Sequence, residues 1–373
     1  MGNQSYDRPV KKPKLQYYHE AMGATIESSD GYKAVTADDI NERIPNFTET
    51  DVGKRPDLPP SNGIMPVERT FEEYSEELSK FFTMKFDRGI LEVCAQTDGD
   101  SLIWSLPCHA AVHKLFEYVN ADRDVEVMIF GGSGKDLFRS IGMHGGVVDT
   151  SRPPVPIPEG DMDYSWVEYE RQYFDGTSDI EYQNNLSIPL ITVWNGGGFH
   201  TDLVFYSDIT LATEDAWTTE QHFRVNMVPG DGVQIVWREL MGRKRFSYAE
   251  LTGEIITAKK AKEYGMVNEI HKTTEDCYKR AWELADLIMH TATRQTRRLT
   301  VQILRRPWKK DVVDELRDSF AIEMWNTLSE QSPHHAIYWE AAKAQARATL
   351  EAEKKGKVIY PRLGDFIEED PIE

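Results

Sequence analysis

The 373-residue chain is poor in cysteine, short of basic charge and free of long apolar runs. Each of these absences removes a class of protein. The three cysteines, Cys94, Cys108 and Cys277, have no paired spacing, so they build neither a disulfide framework nor a zinc motif; a cytoplasmic, reducing setting suits them. Lys and Arg number 43 against 62 Asp and Glu, for a net charge of −19. Nucleic acid and anionic membrane surfaces are therefore not expected as partners, because phosphate neutralisation needs clustered cations. No segment nears the roughly 20 apolar residues of a membrane span. Met1 to Lys14 is polar and mixed in charge, unlike a secretory signal, and Tyr6 stands where a myristoylation pattern needs Ser or Thr. No His/Cys/Asp/Glu group has metal-ligand spacing and His334-His335 is isolated, so neither a metal nor a cofactor is expected. Gly131-Gly132-Ser133-Gly134-Lys135 lacks the spacing of a phosphate loop and reads as a turn after a strand. Arg305 to Lys310 reads as a solvated helix junction.

What is present suffices for a core: 40% hydrophobic residues, 11% aromatic. Residues 1–68, rich in Pro and charge, read as an N-terminal extension. A core follows over 69–285, interrupted at 144–180 by an insert that carries Pro153, Pro154, Pro156 and Pro158 and reads as a lid or subunit contact. A helical region occupies 286–350 and an acidic tail 351–373. Within the core, Phe71–Phe82 reads as a helix, and Met84–Phe86, Ile90–Ala95 and Ser101–Trp104 read as strands. A helix from Cys108 to Tyr118 precedes the near-continuous apolar strand Asp124–Phe130, a pattern suited to a sheet covered on both faces. Ile188–Trp194 and Asp208–Ala212 are further strands around a short helix at Thr201–Tyr206. Helices then predominate: Gly232–Met241, Arg245–Leu251, Ala258–Gly265, Thr274–Met289, Arg294–Leu304 and a run from Lys310 to Ala348 broken near Pro333. Strand–strand–helix units with a helical tail mean an α/β fold.

Four segments in order carry a likeness: IPLITVWNGGG (188–198), SDITLATEDA (207–216), VPGDG (228–232) and LTGEIITAKKAKEYGMVNEI (251–270). Together they resemble the crotonase (enoyl-CoA hydratase/isomerase) superfamily, over about Phe71 to Ala348. The resemblance implies a ββα spiral, a C-terminal helical trimerisation region, and a homotrimer or dimer of trimers. Departures from the acyl-CoA enzymes are informative. Asp202 falls where those enzymes keep a first glutamate, and His222 lies twenty residues on, where they keep a second. Phe199-His200 replaces the glycine of the thioester oxyanion hole, and Phe138 to Gly142 is off pattern at the other oxyanion segment. Hydration of an enoyl-CoA is thus disfavoured. The chain is similar instead to the β-diketone hydrolase branch, typified by 6-oxocamphor hydrolase, at Ser101–Trp104, around His200, at His222-Phe223 with Val228–Gly232, and at Ala321-Ile322-Glu323.

That resemblance implies retro-Claisen cleavage of a small-molecule diketone without coenzyme A. The chemistry needs water made nucleophilic and an enolate leaving group. An imidazole titrates near working pH and can take the proton, with a carboxylate on its other nitrogen to fix the tautomer. His222 and Asp231 suit those roles, although without the resemblance they read first as a surface histidine and a helix N-cap. His200 and the donor-only indole of Trp104 are the expected oxyanion or enolate donors; Trp104 reads also as a core aromatic. Glu323, in apolar company, either shuttles a proton or makes a salt bridge. Asp202 either orients His200 or caps a helix. A lyase or isomerase acting on a CoA ester or a biosynthetic intermediate is the rival enzyme reading; a non-catalytic scaffold is the other.

Overall fold

The computed structural model describes residues 69–104, 106–143, 146–147, 172–198, 200–329 and 335–361. The extension 1–68, most of the expected lid, Phe199 and the end of the acidic tail lie outside these residues.

Helix α1 (Phe71–Glu77) starts on a capping box, with Thr70 and Glu73 each satisfying the other's backbone amide. Strands β1 (Phe82–Asp87) and β2 (Ile90–Ala95) form an antiparallel hairpin through the left-handed Arg88-Gly89 turn. Strand β3 (Leu102–Trp104) leads into α2 (Leu106–Ala121), then β4 (Val127–Gly132), whose six residues are all buried. Strands β5 (Phe138–Met143) and β6 (Gly146–Val147) follow, with β3 pairing β5. Past the expected insert come α3 (Asp175–Asn185), β7 (Leu190–Trp194), β8 (Gly197–Gly198), the single turn α4 (Asp202–Phe205), β9 (Ile209–Thr213) and β10 (Trp217–Thr218). A 3₁₀ turn at His222–Val225 precedes α5 (Val233–Met241), α6 (Arg243–Thr252), β11 (Ile256–Thr257), α7 (Ala258–Tyr264) and β12 (Glu269–His271). Helices α8 (Thr274–Thr291), α9 (Arg294–Leu304), α10 (Arg306–Asp311), a π turn at Val312–Leu316, α11 (Arg317–Ser329) and α12 (His335–Lys354) complete the described chain.

The main sheet runs β1-β2-β4-β7-β9-β12, parallel throughout except for the first hairpin. Both faces are covered, as the unbroken apolar strands require. On one face Ile90, Ile129, Val193 and Leu211 pack against Cys277, Ala281 and Leu284 of α8. On the other, Leu91, Met128 and Phe130 join the larger core with Val112, Leu115 and Phe116 of α2.

Three expectations need correction. Residues 175–180, assigned to the insert, belong to the body: α3 buries Asp175, Thr177, Ser178 and Asp179 beside His109 and His113 of α2. The core boundary at 285 falls inside α8, so the break in the chain is the extended Ala292 at the end of that helix. Arg305 is not solvated: it is 1% exposed, and its guanidinium donates to Asp208 and to the carbonyls of Leu186 and Ile188.

Candidate active site

The site forms where the parallel strands end, the place where open α/β sheets bind ligands. A small sheet of β8, β10 and β11 sets it up. Thr218 pairs with Gly198 in parallel register, so His200 and Glu220, each two residues further on, leave the same end together. Thr201 and Thr218 join hydroxyls at 3.0 Å across this pair. The approach depends on glycine. Gly196 has φ +69, and a Cβ there would stand 1.8 Å from the Lys135 carbonyl oxygen; one at Gly197 would strike the Trp217 ring at 2.5 Å. His200 itself takes φ +50, a conformation uncommon for a residue with a side chain and often found where function fixes the backbone.

Asp231 lies between the two imidazoles. Its Oδ2 is 3.4 Å from His200 Nδ1 and 3.6 Å from His222 Nε2, while its Oδ1 accepts the amide of Val233 at the start of α5. Asp231 is not the N-cap, which is Gly232; it stands one residue earlier, with one oxygen on the first helical amide and the other toward the imidazoles. Asp202 brings a second carboxylate to His200, with Oδ1 3.7 Å from Nδ1. Glu323 reaches in from α11, Oε1 3.7 Å from His222 Nε2, and its Oε2 accepts the Gly230 amide at 3.0 Å. That contact also needs glycine, since a Cβ on Gly230 would lie 2.3 Å from the Ser319 carbonyl oxygen. Four of the five expected residues, His200, His222, Asp231 and Glu323, therefore share one cluster, with Asp202 beside them.

The fifth is placed differently. Trp104, 3% exposed, donates its indole N–H to His109 Nε2 at 3.0 Å rather than presenting it to a substrate oxygen. Its ring stacks on His200 at 4.5 Å between centroids. A second departure concerns His222. The carboxylate on its other nitrogen is Glu220, with Oε1 2.5 Å from Nδ1, whereas Asp231 faces Nε2. Glu220, His109 and Asp179, whose Oδ2 is 3.5 Å from His109 Nδ1, are residues that sequence reasoning missed. The available signals were a Glu two residues before His222 and a His five residues after Trp104.

Burial sets the charges. For His222, burial pulls the pKa down, and the carboxylates of Glu220, Asp231 and Glu323 more than reverse it, leaving the imidazole well above its ordinary value. Burial raises Glu323 far above the carboxylate range, although His222 pulls it back in part. Asp202 is raised by burial, with the His200 hydrogen bond opposing. Glu250, on α6 behind Glu220, is pushed up to about 8 by burial first and the Glu220 charge second. His109 is lowered to about 3 by burial and by His200, so it is neutral; because Trp104 can only donate, the His109 proton sits on Nδ1, toward Asp179. The two site imidazoles are the accessible members, with side chains 18% and 17% exposed, against 8% or less for Asp202, Glu220, Asp231 and Glu323. A ligand would meet the rings first, with the acids behind them.

The fold also brings together what sequence spacing kept apart. His200, Asp202 and Asp231, and likewise His222, Asp231 and Glu323, offer atoms within 4.8 Å of one another. Such crowding can be met by a cation or by shared protons.

Fold and cluster together define an enzyme of the ββα-spiral class with a group of imidazoles and carboxyls at the strand ends. The chain belongs to the crotonase, or enoyl-CoA hydratase/isomerase, superfamily: the family model "Enoyl-CoA hydratase/isomerase" matches residues 169–352. A β-diketone hydrolase from the cyanobacterium Anabaena, solved with (S)-3-oxocyclohexyl acetic acid, is similar at 26% identity and a TM-score of 0.60, over 69% of this chain and 97% of that one. An enoyl-CoA hydratase from Bacillus halodurans, 11% identical over 66% of this chain and 94% of its own, shares the fold at a TM-score of 0.57. A probable peroxisomal enoyl-CoA hydratase of Arabidopsis thaliana is 25% identical over 243 residues, 64% of this chain and 79% of the plant protein.

Proposed function

We propose that the protein hydrolyses a C–C bond between the two carbonyls of a cyclic β-diketone, a retro-Claisen reaction that yields a keto acid. The observation that carries this reading is the seat of His222: Nδ1 is held by Glu220, and Nε2 faces Asp231 and Glu323 at 3.6 and 3.7 Å. Those gaps are too long for direct hydrogen bonds, and the reading seats the attacking water against Nε2. The carboxylates set the loss of the Nε2 proton above the ordinary imidazole range. His222 therefore acts as base on the alkaline side of that loss, taking a proton from the water as its oxygen bonds to the attacked carbonyl carbon. The C–C bond then breaks, its electron pair passing to the second carbonyl as an enolate. Glu323, kept protonated by burial, delivers the proton to the enolate carbon and regains one from His222, so water is added across the bond. His200, with Nδ1 toward Asp231 and Asp202, offers Nε2 to the developing oxyanion. Trp104 supports that ring by stacking, and its N–H reaches a substrate oxygen only on leaving His109. The reaction needs no cofactor. The keto acid in the Anabaena neighbour belongs to the product class this reading demands.

Cytoplasmic location and a homotrimer or dimer of trimers belong to the same proposal. Cys94 and Cys277 are free thiols, and among the described residues no helix is long and apolar enough to cross a membrane.

The test is turnover of a cyclic, non-enolisable 1,3-diketone by the purified protein, followed by loss of carbonyl absorbance. His222→Ala should lower the rate on the order of 10²-fold or more; an unimpaired variant removes the mechanism. One rival has an observation behind it, since the matching family model acts in name on CoA esters. Tight binding of a CoA thioester without diketone turnover would select it.

A further inference from the structure

The closest partner of His222 is its neighbour in sequence. Glu220 has a side chain 5% exposed, and its one oxygen Oε1 accepts from the His222 backbone N–H at 2.8 Å while lying 2.5 Å from Nδ1 of the same residue. A single carboxylate oxygen thus grips both ends of one amino acid, which fixes χ1 and χ2 together. A neutral imidazole bonded to a carboxylate through Nδ1 keeps its proton there, so Nε2 becomes the only basic face.

Glu220 is itself held firmly. It follows β10, and Thr219 Oγ1 donates to the Gly253 carbonyl at 3.1 Å, tying the segment to the end of α6. Four carboxyls face or back the ring: Glu220 from its own segment, Asp231 ahead of α5, Glu323 on α11 and Glu250 from α6. Arg224, on the same 3₁₀ turn, donates to the Thr252 carbonyl and to Gln345. Among the described residues, Glu220 is the one acid on the nitrogen that faces away from the reaction.

We propose that Glu220 is a positioning residue for His222, fixing its tautomer and aiming Nε2 at the attacking water; this rests on His222 acting as the base. Two effects are separable by substitution. Glutamine keeps an oxygen in place for both donors and loses the charge. Alanine loses both.

The experiment measures kcat and KM on the diketone across pH for Glu220→Gln and Glu220→Ala, with ¹⁵N spectra of the His222 ring titrated in parallel. For Glu220→Gln the expected result is a retained Nδ1–H tautomer, with the ring titration and the kcat–pH midpoint both lower by about one unit or more. For Glu220→Ala both tautomers should appear, and kcat should fall on the order of 10²-fold with KM unchanged. Unmoved midpoints in the Gln variant and an unchanged ring signal in the Ala variant would overturn the assignment. If the native protein hydrolyses no diketone, the spectra still decide: a moved titration sustains Glu220 and sinks the function, an unmoved one sinks Glu220.

Discussion

Asp231 shows how one side chain serves structure and chemistry at once, because Val233 holds one oxygen and two imidazoles face the other. Sequence alone could not choose between cap and acid, since either needs a carboxylate just ahead of a helix. The residue types of the cluster were legible; the pairings inside it were not. Side chains two apart in an extended segment share a face but stand roughly 6.6 Å apart along it, beyond hydrogen-bond reach, so Glu220 gave no reason to look for His222. The 3₁₀ turn that begins at His222 and closes on the left-handed Asn226 folds the ring back onto it. Trp104 likewise declared a donor without declaring its acceptor, which comes from α2. Glu250, the buried carboxyl behind Glu220, carries a prediction of its own. Its folded pKa of about 8 lies above the unfolded value, so its stability contribution is complete below about pH 4.5 and is lost as pH rises toward 8. Glu250→Gln should remove that slope, leaving stability at pH 4.5 unchanged and raising it at pH 8 by on the order of 2 kcal/mol. Thermal melts of both proteins at the two pH values check this, and parallel slopes would refute it.

Among elements, those with strong punctuation were read best. Strand β2 and helix α9 run over the residues expected, the first bounded by the Asp87-Arg88-Gly89 turn and the second started by Thr293, whose hydroxyl accepts the Thr296 amide. Helix α3 escaped notice because its buried residues are polar: Asp175, Asp179, Gln183 and Asn184 turn inward where a pattern reader expects apolar side chains. It packs on α2 through the pairs His109–Asp179 and His113–Asp175 rather than through a hydrophobic stripe. Helix α11 matters most for the chemistry, since it delivers Glu323. Its approach is limited by Gly230, where a Cβ would meet the Ser319 carbonyl at 2.3 Å and the Glu323 Cβ at 3.0 Å. Backbone cannot yield as a flexible side chain can, so Gly230→Ala should push α11 outward. The expected cost is about 1–3 kcal/mol, by the usual scale of overpacking. Turnover should fall too, because the Gly230 amide and Glu323 move apart. Calorimetry with a diketone assay reads both, and a variant matching the parent in each would show that α11 does not need this close contact.

At the scale of the whole molecule, the body satisfies its sheet on both faces and then leaves apolar residues outside on the C-terminal helices. Leu299, Ile303 and Leu304 on α9 are 56%, 70% and 62% exposed, and Val313 on the following π turn is 80% exposed. Leu299 and Ile303 are four apart and share one helix face. Single exposed aliphatics are ordinary, but several on adjoining elements mark a surface that another molecule covers. The proposed trimer would supply that cover. The cluster around Asp231, by contrast, is assembled from one chain: His200, Glu220, His222 and Glu323 reach one another without a second copy. Assembly and catalysis should therefore separate. Leu299→Glu with Ile303→Glu is expected to convert the native oligomer to monomers in size-exclusion chromatography with light scattering, while the circular dichroism spectrum and kcat stay close to those of the parent. A parent that is already monomeric at micromolar concentration would refute the assembly. A monomeric variant that is folded but inactive would mean that a neighbouring copy completes the site.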